Sequence, residues 1–171
     1  MAEPRYSANY DSPAKIVIRQ TGDSLIAVLD DSQFIVRDNL YTIVFREGKS
    51  DLNFVLGLLN SRLLNWFYQT VLNPEKGEAL AQVKRGHIAK LPIRTISLSN
   101  STDKLMRDKM IKLVKSMLDL NKRKAGAQGE RDIEIIQRQI DATDHGIDQL
   151  VYELYRLTEE EIKTVEDGAA K

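Results

Sequence analysis

Two runs of apolar residues at alternating intervals of three and four dominate the second half of this chain. Met106, Met110, Leu113, Met117 and Leu120 make the first; Ile133, Ile136, Ile140, Thr143, Ile147, Leu150, Leu154 and Leu157 make the second. A period near 3.5 residues keeps one face of a helix apolar for several turns, and such a face is stable only against another helix. Gly126 and Gly129 fall between the runs and mark a bend. The spacing therefore predicts an antiparallel helical hairpin. Thr158 and Glu161 have capping-box spacing and predict a last short helix over 159–166.

Charge follows the same division. Lys and Arg number 25, as do Asp and Glu, so the net charge is zero. Residues 104–125, however, hold eight basic side chains against two acidic ones, and residues 130–167 hold four against twelve. The two arms of the hairpin are oppositely charged, and charges at their flanks are expected to favour the pairing. Residues 1–94 hold twelve against ten. A zero total thus says nothing against an anionic partner.

The first half reads at strand period. Residues 1–13, with Pro4 and Pro13, form an irregular lead-in. Residues 15–20 (KIVIRQ) are rich in β-branched side chains, and a turn at 21–24 leads to a hairpin partner at 25–29. Residues 34–37 and 40–45 are expected as further strands, giving three or four in a small, mostly antiparallel sheet. Asp51 is placed to cap a helix reaching about residue 71, with Phe54, Leu58, Leu59, Leu63, Trp66 and Phe67 at helical spacing. Within it, Asn60 is read as a tie to a neighbouring backbone rather than a ligand contact, and Trp66, Phe67 and Tyr68 as core. Residues 79–93 read as short strand or helix pieces on a basic loop, with an extended exit forced by Pro92. The fold class is α/β (α+β): an α/β part over 14–97, then a helical part over 103–167.

Several function classes are absent from the residues. With no cysteine there is no thiol catalysis, disulfide or cysteine-ligated metal. His87 and His145 lack companions at ligand spacing, and Asp30-Asp31 reads as a turn at a strand end. No glycine-rich phosphate loop or nucleophile elbow is present. No apolar run reaches the ~18 residues of a membrane span, and the N-terminus lacks the layout of a secretory signal. A cytoplasmic, non-enzymatic chain with no cofactor or metal of its own is the expectation.

What remains is a set of basic and amide side chains. Arg19 and Gln20 end one strand, Arg37 and Asn39 sit at a strand junction, and Lys84, Arg85, Gly86 and His87 form a basic loop. Arg, Asn, Gln and His can pair with base edges, while Lys and Arg hold phosphates. Arg19, Gln20, Arg37, Asn39 and His87 are candidates for bases; Lys84, Arg85, Lys76 and Arg94 are candidates for phosphates.

The ordered segments AKIVIRQTG (14–22), the strand 25–30, NLY (39–41), LLNS (58–61) and IAKLPI (88–93) resemble the C-terminal target-recognition domain of TaqI-like DNA adenine methyltransferases and type IIG restriction–modification enzymes. Residues 147–155 with 157–162 resemble the usual ending of such enzymes, so the likeness spans 14–97 and 140–166. It implies a DNA-reading module of a bacterial restriction–modification enzyme. Its partners would be double-stranded DNA and the methyltransferase or nuclease domains of a parent enzyme, which would bind S-adenosylmethionine and do the chemistry. Here Asn73-Pro74 is followed by Glu75-Lys76, which departs from the Asn/Asp-Pro-Pro-Tyr/Phe motif of the family's methyltransferase domain. The alternative is a protein-interaction module whose 133–157 seam pairs with a second copy as a homodimer.

Overall fold

The computed structural model describes residues 12–36, 39–45, 51–73, 75, 77 and 81–169. Among these, three strands form one antiparallel sheet: β1 (Lys15–Arg19), β2 (Ala27–Asp30) and β3 (Leu40–Ile43), in the order β2-β1-β3. β1 is central because both neighbours pair with it, Ile16 facing Leu29 on one side and Ile43 on the other. The architecture is α+β, as the sequence predicts.

The expected strand at 34–37 does not form over the described residues 34–36. Asp30 explains the departure. Its carboxylate accepts from the Ser32 N–H at 2.9 Å and the Phe34 N–H at 3.0 Å, and Gln33 takes a positive φ of 58°, so the chain turns out of the sheet. Phe34 and Ile35 end up exposed. Asp30 also pairs with the fully buried Lys15, 2.9 Å away. The Asp30-Asp31 segment is a turn.

The helix expected from Asp51 begins where predicted. The Asp51 side chain accepts from the Asn53 and Phe54 N–H groups. It is not continuous, however: α1 (Leu52–Asn60) stops, α2 (Arg62–Phe67) restarts, and a π-helical turn closes it over Tyr68–Leu72. Ser61 makes the break, with ψ at 151°; its hydroxyl donates to Leu58 O at 2.7 Å and accepts from Leu64 N–H at 3.3 Å. The break has a purpose visible in two amides. Asn60 exchanges two hydrogen bonds with the Ala27 backbone, at 2.9 and 2.8 Å, and Asn65 does the same with Leu25, at 2.8 and 3.2 Å. In an unbroken helix side chains five residues apart would diverge by about 140°. Offset at Ser61, Asn60 reaches the outer edge of β2 and Asn65 the residues leading into it, and they occupy backbone groups that an edge strand otherwise leaves open.

A short helix α3 (Arg85–Ile88) precedes the extended segment after Pro92, and the hairpin follows: α4 (Ser101–Gly126) and α5 (Glu130–Tyr155). Met110, Leu120, Ile136, Ile147, Leu150 and Leu154 are buried along the predicted seam. α4 also packs on α1, where Val114, off the seam, is buried beside Gly57. Residues of the sheet, of α1 and α2 and of the hairpin share one apolar cluster. The expected electrostatic pairing of the arms is not realised: among the described residues no ion pair joins α4 to α5, and besides the apolar seam a hydrogen bond from Lys124 Nζ to Gln137 Oε1 links them near the bend. α5 ends at Arg156 in left-handed backbone (φ 58°), with Leu157 N–H returning to Tyr152 O at 3.0 Å. The predicted capping box at Thr158 and Glu161 then starts α6 (Glu159–Ala169).

Candidate nucleic-acid interface

Where β1 ends, three separate stretches of chain are stitched together by backbone hydrogen bonds. Gln20 N–H donates to Asn39 O at 3.1 Å, and Gln20 O accepts from Val83 N–H at 2.8 Å. Thr21 bridges Gln82, and Gly22 N–H donates to Ala81 O at 2.8 Å. Lys84 and Arg85 follow Val83 directly. One end of the sheet therefore carries Arg19, Gln20, Asn39, Lys84 and Arg85, residues as far as 66 positions apart in sequence, without any of their side chains being needed to hold it.

Each side chain has a distinct setting. Arg19 is exposed and lies across Gly22, whose φ is +122°; a Cβ at that glycine would stand 2.5 Å from the Arg19 guanidinium. Any larger residue at 22 would displace the arginine. Asn39 is exposed and Gln20 half-buried. Arg85 is exposed, with no ion pair among the described residues. Lys84 pairs with Glu75, which also accepts from Gln82 N–H at 3.2 Å. The Lys84 hydrogen bond, helped by the one from Gln82, holds the Glu75 carboxyl below the usual carboxylate range.

The basic residues expected as a loop sit instead on one of the short helix pieces expected over 79–93. Lys84 caps α3, so Arg85, Gly86 and His87 ride on a single helical turn, and the space in front of Gly86 is open. The turn leans on Tyr68: its ring centroid lies 6.1 Å from that of His87, at 54°. His87 is half-buried, its Nδ1 buried and without a hydrogen-bond partner among the described residues. Tyr68 is fully buried and donates to Gln82 O at 3.4 Å; burial pushes its hydroxyl up to about 12, so it remains a donor.

Arg94 stands elsewhere. Its backbone N–H donates to Tyr155 Oη at 3.2 Å, and its guanidinium lies 3.7 Å from Asp103 at the start of α4. Arg37 and Lys76 lie outside the described residues. Sequence reasoning did not single out Glu75, Gln82 or Tyr68 as neighbours of the site. A hydroxyl at the end of an apolar helix was the one available signal for Tyr68; nothing local marked the other two.

Among the described residues no group of three His, Asp or Glu could hold a metal ion. A cavity of about 380 Å³ lies between β2, α1, α4 and α5, lined mainly by apolar side chains such as Leu56, Val114 and Ile147. None of the candidate residues lines it. The arrangement is one of hydrogen-bond donors and amides at one end of the sheet.

The family model described as the TaqI-like C-terminal specificity domain matches residues 2–93. The match takes in the sheet, α1, α2 and α3 and stops before α4; the resemblance drawn for residues 140–166 lies outside it. No curated protein and no solved structure matches the chain.

Proposed function

Since the chain belongs to the TaqI-like C-terminal specificity domains, which are DNA-recognition modules of restriction–modification enzymes, we propose that it reads a sequence in double-stranded DNA and itself catalyses nothing. The observation that carries this reading is the backbone junction at Gln20, which presents Arg19, Gln20, Asn39 and Arg85 on one exposed end of the sheet. Arg85 sets register on phosphate. Lys84 does so once its pairing with Glu75 is exchanged for the DNA backbone. Arg19, Gln20 and Asn39 approach base edges, where a guanidinium fits guanine O6 and N7 and an amide fits adenine N6 and N7. His87, leaning on Tyr68, supports the α3 turn more than it reaches outward.

In this reading the chemistry belongs to a methyltransferase or nuclease part of a parent enzyme, which supplies S-adenosylmethionine binding, and the setting is the bacterial cytoplasm. No described helix is long and apolar enough to cross a membrane. The rival, pairing of two copies through the 133–157 seam, has less support because Ile136, Ile147, Leu150 and Leu154 are already buried within the chain.

Binding of the full chain to a randomised duplex pool, followed over a salt series, tests the proposal. The log of affinity should fall steeply with log salt. Arg85→Ala should weaken all duplexes alike, whereas Gln20→Ala and Asn39→Ala should relax preference at single positions. A wild-type protein that binds every duplex equally, or none at low salt, would sink the reading.

A further inference from the structure

Four lysines on one side of α4 are charges that the fold leaves without an ion pair among the described residues. Lys104, Lys112, Lys115 and Lys122 are exposed, and among the described residues none forms an ion pair. The acidic arm α5 was the expected partner, yet no ion pair joins the two helices. At about 100° per residue, Lys104, Lys115 and Lys122 fall within about 20° of one line along α4, and Lys112 lies about 80° round from Lys104. All four lie about 80° or more round the helix from the buried Met110, Val114 and Leu120. Two carboxylates share this arc, but both are engaged on their own helix, Asp108 with Arg107 at 3.1 Å and Asp119 with Arg123 at 3.8 Å.

We infer that the outer face of α4 is a second DNA-contacting surface, which holds the phosphate backbone of the duplex outside the bases read by the sheet. From Lys104 to Lys122 the stripe runs about 27 Å at 1.5 Å per residue. Over that length a duplex carries on the order of sixteen phosphates, at one charge per ~1.7 Å of axis. A protein partner fits less well. Stable protein interfaces have an apolar centre depleted of charge, and among the described residues Leu105 is the one large apolar side chain that α4 exposes. The helix is also fixed to the body: Arg107 lies 3.7 Å from Asp51 at the cap of α1, and Asp103 lies 3.7 Å from Arg94. Phosphates gripped by α4 are thus held by the same rigid unit that carries the reading edge. The inference rests on the DNA-binding proposal, but it concerns a surface outside the matched residues 2–93.

The test combines Lys104→Gln, Lys112→Gln, Lys115→Gln and Lys122→Gln in the full chain, with circular dichroism to establish that the exposed changes leave the fold intact. Affinity for a 30-base-pair duplex is then measured by fluorescence anisotropy between 50 and 300 mM salt. The plot of log affinity against log salt should become shallower by about 2 to 4, at roughly 0.9 per lost phosphate contact. Affinity at 100 mM should fall about tenfold or more for every sequence, with base preference unchanged. A wild-type slope and affinity in the variant overturn the inference and leave the recognition proposal standing, because Arg85→Ala and Gln20→Ala still report on that. Failure of the unmodified chain to bind any duplex overturns both. A change in sedimentation mass with DNA affinity untouched also overturns it, assigning the face to a second copy.

Discussion

Replacing Asp148 by Asn should make the protein more stable at neutral pH, and the gain should vanish in acid. Asp148 is 4% exposed, where α5 meets the start of α2. One carboxylate oxygen accepts from Arg62 N–H at 2.8 Å, and the other lies 3.5 Å from Arg62 Nε. Burial pushes this carboxyl up to about 6, and the nearby charges of Asp144 and Glu166 add to the rise, against the opposing pull of the Arg62 N–H and guanidinium. In the unfolded chain the group titrates near 3.8. Between about pH 4 and 6 the folded state holds a proton that the unfolded state has released, so this group's contribution to stability declines as pH rises through that window. A shift of about two units corresponds to a deficit on the order of 3 kcal/mol once both states are ionised. Asn keeps an oxygen for the Arg62 N–H and never ionises. It gives up the longer contact to a guanidinium that is 41% exposed, a loss of about 1 kcal/mol or less. The expected difference, variant minus wild type, is near zero or slightly negative at pH 4 and about +2 kcal/mol at pH 7. Urea denaturation at four pH values measures it, and subtracting the wild-type curve removes the other titrating groups. A difference that is flat with pH, or that turns more negative as pH rises, would refute the reasoning and show that the Arg62 pair outweighs the cost of burial.

Two further substitutions probe the packing that places the site. Gly57→Ala would put a Cβ 2.5 Å from Met110 Sδ and 2.9 Å from Val114 Cγ2; the thioether can move aside but the valine methyl cannot. Strain of about 1–3 kcal/mol, less about 1 kcal/mol of gained helix propensity, should leave the variant destabilised by about 1 kcal/mol in urea, and a stabilised variant would mean that the α1–α4 contact is loose. Asn60→Ala should cost about 1–3 kcal/mol by removing both hydrogen bonds to Ala27 and should speed hydrogen exchange at the Ala27 amide; unchanged exchange would show that the amide does not guard the edge of β2.

The parts of the fold that were legible in sequence are those held by periodic or local chemistry. The hairpin follows from the apolar spacing of Met106 through Leu157; Asp51 and Thr158 mark their helix ends with side chains that act within a few residues, and Gly126 and Gly129 bracket the bend. Of two misreadings, one had a local cause and one a tertiary cause. Residues 34–36 have strand composition, but Asp30 turns the backbone away before it can pair. The helix after Asp51 has unbroken apolar spacing, and its break at Ser61 lets Asn60 and Asn65 share a face and pair with the backbone of Ala27 in β2 and of Leu25 just before it. The charge pattern misled differently: opposite net charges on two arms describe composition, whereas ion pairs depend on which residues border the seam.

The site is harder to read from sequence because its coherence lies in the backbone. Gln20 is joined to Asn39 and Val83 through its own N–H and C=O, groups that every non-proline residue carries, so no residue type announces the junction. Side-chain chemistry entered only afterwards, in what the junction displays. This makes the junction robust to exchange of the side chains around it: Arg19, Gln20, Asn39 and Arg85 can be replaced without loss of the hydrogen bonds that align them. Gly22 is the exception, because its φ of +122° strains any other residue there and a side chain would also displace the Arg19 guanidinium. An edge built this way separates the fixed geometry of the backbone from the chemistry of the side chains it displays, which is what the proposed reading of different sequences by one fold requires.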